Sequence, residues 1–130
     1  MKYVYPVILF NDEGKIGVRV PDLPGCFTFG VDKADALIMA KDAIETWLWD
    51  AENKDETIPP ASDKLPVADG EIQTLIVADT EEYRKMYESK AIKKTLSLPS
   101  WLNTRAESAG VNFSQTLQRA LKQELGIAEP

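Results

Sequence analysis

The C-terminal part of the chain places a short alternating segment directly before two short amphipathic segments, and few folds accommodate that order. Residues 92–98 alternate in polarity, which predicts a β-strand. One face of this strand would carry Ile92, Lys94, Leu96 and Leu98. A lone strand has unsatisfied backbone groups along both of its edges. It therefore has to pair with a strand from elsewhere.

Two helices are predicted after this strand. The first begins at Pro99, which suits the first position of a helix, and ends at Gly110, which suits a helix C-terminus. The second is capped by Asn112, with Gln115 three residues later, and ends at Gly126. Its apolar stripe consists of Phe113, Leu117, Ala120, Leu121 and Leu125. A strand and two helices of this size bury too little surface to be stable as a monomer.

A second copy of the chain would provide both the missing strand and the missing surface. Two copies can pair their strands as an antiparallel ribbon about a two-fold axis, with the apolar face on four helices. Lys93, Thr95 and Ser97 would then face outward. A two-stranded ribbon fits the major groove of B-DNA, where these side chain types can contact base edges. We therefore predict a homodimer that binds double-stranded DNA in a sequence-specific manner.

The start of the second helix predicts another kind of DNA contact. Free backbone N–H groups near Asn112, Phe113 and Ser114 can bind a phosphate without reading sequence. The charge distribution agrees with this assignment. Residues 90–130 carry 6 Lys/Arg against 3 Asp/Glu, whereas residues 1–89 carry 9 against 18. An acidic body joined to a basic tail indicates two separate tasks on one chain.

The N-terminal region predicts a small antiparallel sheet covered on one face by a helix. Strands are predicted at residues 3–10, 15–20, 26–31 and 72–78. The apolar residues of segment 32–51 follow the spacing of a helix with one buried face. Residues 52–70 are polar, contain three prolines and are expected to form an exposed excursion. A short connecting helix is expected within residues 79–90.

The composition excludes several classes of protein. The 130 residues contain no histidine, which removes imidazole-based acid–base catalysis and the commonest metal ligand. Cys26 has no second cysteine to pair with and no adjacent Lys or Arg to activate it, so a packed cysteine is expected. No apolar run approaches the length of a membrane span. We expect a cytoplasmic protein that is not an enzyme and uses neither cofactor nor metal.

Two regions of the sequence resemble the HicB family of antitoxins. Residues 91–127, above all the stretches LSLP at 96–99 and GVNFSQTLQRAL at 110–121, are similar to the ribbon-helix-helix domain attached to HicB-type antitoxins. The residues YPV at 5–7 and PDLPGCFTFG at 21–30, followed by an amphipathic helix, are similar to the HicB domain. The two matches occur in the expected order and together cover most of the chain.

The resemblance implies a type II antitoxin. Its N-terminal domain would have a partial ribonuclease-H-like fold and would bind and block HicA, a small RNA-cleaving toxin. Its C-terminal domain would repress its own operon. In ribbon-helix-helix proteins the alternate outward strand residues contact bases, and these map onto Lys93, Thr95 and Ser97. Lys94 departs from the pattern, because it occupies an inward position that is usually apolar.

We therefore predict an α+β fold in three parts. Residues 1–80 would form a HicB-like toxin-binding domain, an N-terminal antiparallel sheet with a packed helix. Residues 81–90 would connect it to a ribbon-helix-helix domain for DNA binding and dimerisation at 91–130. The predicted partners are a HicA-like toxin protein, operator double-stranded DNA and a second copy of the chain, as a homodimer or as a tetramer of two dimers.

Two other functions are compatible with the sequence. The first is an orphan ribbon-helix-helix transcription factor whose N-terminal domain senses a small ligand or serves only assembly. The second is a residual metal-dependent nuclease related to ribonuclease H, using the carboxylates of Asp12, Glu13, Asp22, Asp32 and Asp35. Most of these acids fall in turns or at a helix start, where Asp has ordinary structural roles. We therefore favour a domain without catalytic activity.

Overall fold

The computed structural model describes residues 1–127, and its backbone falls into two compact units, residues 1–91 and the residues from Ile92 onward. The first unit contains strands β1 (Lys2–Asp12), β2 (Lys15–Arg19), β3 (Phe27–Gly30) and β4 (Ile72–Asp79), with helices α1 (Lys33–Asn53) and α2 (Thr80–Tyr87). The second contains helices α3 (Ser100–Ser108) and α4 (Phe113–Glu124). The predicted α+β composition, with a four-stranded antiparallel sheet and four helices, is confirmed.

The sheet of the first unit has the strand order β3-β2-β1-β4, and each neighbouring pair is antiparallel. β1 and β2 form a hairpin in which Asp12 lies opposite Lys15. The two residues between them, Glu13 and Gly14, have φ values of 49° and 85°. Positive φ at both turn positions gives the connection a twist that matches the right-handed twist of the strands. The hairpin is as predicted.

Helix α1 covers one face of this sheet. Its N-cap is Asp32, whose Oδ1 accepts a hydrogen bond from the Asp35 N–H at 2.8 Å. Gly30 allows the helix to begin close to β3, since a Cβ there would lie 2.3 Å from the backbone nitrogen of Ala36. The core consists mainly of Tyr5, Val7, Leu9, Val18, Val20, Ala36, Ala40, Ile44, Leu48, Ile76 and Ala78. Burial of each large apolar side chain in this core stabilises the folded state by about 1.5–3 kcal/mol.

The segment between α1 and β4 has no regular structure, and most of its side chains are exposed, as predicted. It is nevertheless fastened to the sheet. Ser62 donates hydrogen bonds from its N–H and Oγ to the Asp22 carboxylate, at 2.8 and 2.6 Å. The N–H of buried Leu65 donates to Oε1 of Gln73 at 2.9 Å. The polar composition did not reveal these contacts, because the partners are distant in sequence or belong to the next strand.

Helix α2 packs against α1 within the first unit. The ring of Tyr83 lies 5.9 Å from that of Trp49. Arg84 donates to Glu52 at 3.0 Å, and the same carboxylate accepts from the Tyr3 hydroxyl at 2.7 Å. Burial together with this hydrogen bond raises the pKa of Tyr3 to about 12. Burial opposes ionisation of Glu52, but its hydrogen bonds outweigh that effect and lower its pKa.

Candidate nucleic-acid interface

The second unit exposes its apolar side chains in the single chain. Neither α3 nor α4 contains a buried residue. Within residues 92–127, nine large apolar side chains of this unit are exposed to between 38% and 86%: Ile92, Leu96, Leu98, Trp101, Leu102, Val111, Phe113, Leu121 and Leu125. Water contact over this much apolar surface is unfavourable and is typical of an interface whose partner is absent.

Residues 91–99 have no regular structure in the single chain, so the strand predicted at 92–98 is not formed there. The physical reason is the one that made a partner necessary: the single chain offers no strand to which this segment pairs. The side chains of Lys93, Thr95 and Ser97 are all exposed. The same is true of Lys94, so the single chain does not distinguish an outward face of this segment from an inward one.

Helix α3 begins at Ser100, one residue later than predicted, and ends before Gly110 as predicted. The carbonyl oxygen of Pro99, its N-cap residue, accepts hydrogen bonds from the N–H groups of Leu102 and Asn103, both at 3.1 Å. The chain leaves the helix through Gly110, which has a φ of 70°. The Val111 N–H then bonds to the Ala106 carbonyl at 3.1 Å. This geometry is a Schellman motif, in which a glycine with positive φ ends the helix.

Helix α4 begins at the predicted cap. The Asn112 side chain accepts a hydrogen bond from the Gln115 N–H at 3.1 Å. The N–H groups of Phe113 and Ser114 lie in the first turn, where a helix provides no backbone acceptor. Both residues are exposed, so their N–H groups can donate to an anion such as a DNA phosphate. The structure thus brings Asn112, Phe113 and Ser114 together at one helix start.

The first unit carries an exposed surface that the sequence reasoning missed. On β3, Phe27 and Phe29 are 75% and 54% exposed, and Val31, just after the strand, is 68% exposed. The available signal was the alternation in CFTFG at 26–30. Because Cys26 is buried in the core, the period of two turns both phenylalanine rings toward the opposite face of the sheet.

The cysteine and three of the five candidate acidic residues occupy structural positions. Cys26 is buried, as predicted, and burial raises its pKa to about 11. Asp22 holds Ser62, Asp32 caps α1, and Asp35 accepts from the Val31 N–H at 2.9 Å. Within residues 1–127, no three acidic or cysteine side chains lie close enough to hold a metal ion. No helix in the same range is long and apolar enough to cross a membrane.

Comparison with known proteins gives a family match over most of the chain. The sequence profile of a family described as HicB-like antitoxin of bacterial toxin-antitoxin system matches residues 5–121. The UPF0150 protein Ta0767 of Thermoplasma acidophilum is 46% identical over 56 residues, which cover 42% of this chain and 81% of that protein.

Solved structures give a consistent result. A chain in a toxin-antitoxin complex from Streptococcus pneumoniae aligns with a TM-score of 0.59 at 24% identity, covering 95% of this chain and 99% of that one. The antitoxin HicB of Burkholderia pseudomallei aligns with a TM-score of 0.53 at 23% identity, covering 95% and 98%. A chain in a complex of HicA3 and HicB3 has a TM-score of 0.50 at 25% identity, covering 59% and 99%. At 24% and 23% identity, the first two similarities show a shared fold and nothing more.

Proposed function

Because the chain belongs to the family of HicB-like antitoxins of bacterial toxin–antitoxin systems, we propose that it binds and occludes a small HicA-type RNA-cleaving toxin and, as a dimer on operator DNA, represses its own operon. The first unit would bind the toxin, and the second would pair two chains and bind DNA. The exposed apolar surface of the second unit is the observation that carries the DNA-binding part of the proposal.

The toxin-binding part rests on family membership and charge. One similar solved structure is a complex of HicA3 with HicB3. Residues 1–89 of this chain carry 18 Asp/Glu against 9 Lys/Arg. A toxin that cleaves RNA has to bind a polyanion and therefore presents cationic side chains. Opposite charges accelerate encounter and make association sensitive to salt. Covering the cationic surface is sufficient to inhibit the toxin, so the antitoxin needs no chemistry of its own.

In the DNA-binding part of the proposal, residues 92–98 of two chains pair as an antiparallel ribbon. This pairing forms the strand at 92–98 that is absent in the single chain. The apolar side chains of both copies would cover each other beneath it, as in a ribbon-helix-helix dimer. Lys93, Thr95 and Ser97 would contact base edges in the major groove. The N–H groups at Phe113 and Ser114 would hold a phosphate on each side and set the register.

Substitution of Lys93 tests the base-reading role. Lys93→Ala should weaken operator binding by about 1–3 kcal/mol and weaken binding to random DNA by less, since a base contact contributes to discrimination. Dissociation constants for operator and random duplexes of equal length, measured at one salt concentration, check this. Lys90→Ala is the charge-matched control outside the ribbon. Equal losses on both duplexes would assign Lys93 to the phosphate backbone instead.

Co-expression tests the toxin-binding role. The full chain should restore growth of cells that express the HicA-type protein encoded in the neighbouring reading frame, and the two proteins should co-purify. The Lys93→Ala chain should rescue growth equally, because its change lies in the second unit. A neighbouring frame without such a protein, or a toxin that is neither bound nor neutralised, would contradict this part of the proposal.

A further inference from the structure

The edge strand β3 presents a surface that we name the aromatic edge, formed by Phe27, Phe29 and Val31. All three side chains are more than half exposed. Two exposed phenylalanines two residues apart on one strand are unusual in a unit with its own core. Burial of each ring would stabilise the protein by about 1.5–3 kcal/mol. Aromatic side chains in such a position are typical anchors of protein–protein interfaces.

The aromatic edge lies on the sheet face opposite α1, beside Phe10 of the neighbouring hairpin. Gly17 lies opposite both Phe10 and Phe29 in the sheet register. The Phe10 ring lies over Gly17, where a Cβ would come within 2.4 Å of the ring. The absence of a side chain at position 17 therefore lets the aromatic surface extend across three strands. This surface is shaped to receive a partner that presents apolar side chains.

Two cations lie along this surface without making it basic. The guanidinium of Arg19 stands 5.4 Å from the centre of the Phe10 ring, and Nζ of Lys15 stands 4.8 Å from that of Phe29. Arg19 donates two hydrogen bonds to Glu71, at 2.7 and 2.8 Å, which neutralise its charge. Lys15 keeps its charge over the Phe29 ring, but it shares that depression with the carboxylates of Asp12 and Glu13.

The rim of the aromatic edge is acidic. Asp12 and Glu13 line a shallow depression together with Lys15 and Phe29. Asp32, which follows Val31 directly in the chain, is exposed and lies at the same end of β3, because Gly30 pairs with Ile16 beside the β1–β2 turn. An apolar centre with a rim of carboxylates is complementary to a partner that has an apolar patch surrounded by Lys or Arg. A protein that binds RNA has this kind of cationic surface.

The other exposed apolar strip of the sheet lacks this charge pattern. On the β1–β4 side, Val4, Leu75 and Val77 are exposed, but residues 72–78 contain no charged side chain. A neutral strip offers nothing specific to a cationic partner. Single-stranded RNA could stack on phenylalanine rings, but the excess of carboxylates in this unit and the neutralised Arg19 would repel a polyanion or fail to attract it.

We propose that the aromatic edge is where the cationic HicA-type toxin docks on this antitoxin, with Phe27 and Phe29 as the anchors and the carboxylates of Asp12, Glu13 and Asp32 as the rim. This inference rests on the proposed function, because it places a partner that the proposed function names. β3 is also an outer strand of the sheet, so its free edge is available to a strand of the toxin.

The test compares two double variants of the full chain. The probe is a catalytically inactive form of the HicA-type protein from the neighbouring frame, and affinity is measured by calorimetry. The variant Phe27→Ser with Phe29→Ser should bind about 100-fold more weakly, as expected when two interface anchors are removed. The matched control is Leu75→Ser with Val77→Ser, on the same face at the other edge, and it should bind within about 3-fold of the unsubstituted chain.

Two further measurements separate docking from folding. Both double variants replace exposed residues, so their thermal unfolding and operator binding should equal those of the unsubstituted chain. Asp12→Asn with Glu13→Gln should weaken toxin binding mainly by slowing association, and the salt dependence should become shallower.

Three results would overturn the placement while leaving the proposed function intact. The first is a Phe27/Phe29 variant that binds the toxin as tightly as the unsubstituted chain. The second is loss of binding in the Leu75/Val77 variant instead. The third is a single-stranded RNA oligonucleotide that binds the antitoxin through the two phenylalanines without displacing the toxin. A toxin that fails to bind the unsubstituted chain overturns the proposed function itself.

Discussion

The two units use similar amphipathic helices with opposite results. In the first unit, Ile44 and Leu48 of α1 are fully buried against a sheet from the same chain. In the second, Trp101 of α3 and Leu121 of α4 are 65% and 50% exposed. The apolar pattern predicted helices in both places, but only the first unit has a second layer to cover them. The first unit therefore has a core within one chain, whereas the second leaves its apolar side chains exposed, as expected if it pairs with a partner.

Substitution in the core of the first unit should have the largest effect on stability, and it tests whether α1 is buried as described. Ile44→Ala removes three carbons from a fully buried position and should lower the free energy of unfolding by about 2–5 kcal/mol. Ile38→Ala, in the same helix at a position that is 68% exposed, should change it by less than about 0.5 kcal/mol. Urea denaturation followed by tryptophan fluorescence measures both. Equal effects would mean that α1 is not packed as described.

The apolar side of the ribbon segment provides the next effect. Leu98→Asp should weaken dimerisation by about 2–4 kcal/mol, because a two-fold interface would bury the introduced carboxylate twice. Sedimentation equilibrium of the full chain measures the dissociation constant. Ser97→Ala, at the neighbouring outward position, should leave it unchanged. If Leu98→Asp dimerises normally, the second unit does not pair through this segment.

The cap of α4 provides a smaller effect within the second unit. Asn112→Ala removes the acceptor for the Gln115 N–H and should cost about 1 kcal/mol. Asn112→Ser keeps a capping oxygen and should recover most of the loss. Thermal unfolding followed by circular dichroism measures the change, which should depend on protein concentration if α4 is stabilised by a second copy. An alanine variant as stable as the serine variant would show that the cap contributes nothing.

A surface carboxylate of the first unit provides the smallest effect. Hydrogen bonds from Arg19 and from the Ala68 N–H lower the pKa of Glu71 from 4.5 to about 2. Because the folded-state pKa is depressed, its stabilisation is present above pH 4.5 and is lost as pH falls toward 2. The melting temperature should fall over this window, and less steeply in Glu71→Gln. An identical slope in the variant would show that solvent screens this ion pair completely.

Local sequence patterns determined the elements of this protein. Runs of β-forming residues predicted the four strands, helical spacing and cap residues predicted α1 to α4, and Asp32, Asn112 and Gly110 mark helix ends that the structure confirms. These features are readable because each depends on residues within a turn or two of one another. The outward placement of Lys93, Thr95 and Ser97 stays a prediction that needs a second chain, because Lys94 is exposed as well.

Only the tertiary structure decided which surfaces stay open. The order β3-β2-β1-β4 places Phe27 and Phe29 at an outer strand, on the face that α1 leaves uncovered. The contact of Asp22 with Ser62 likewise joins residues 40 positions apart. Such features depend on how segments that are distant in sequence pack together. The spacing of apolar residues within one segment does not predict that packing. Strand alternation separates two faces of a sheet, but the packing of a distant helix decides which of them meets water.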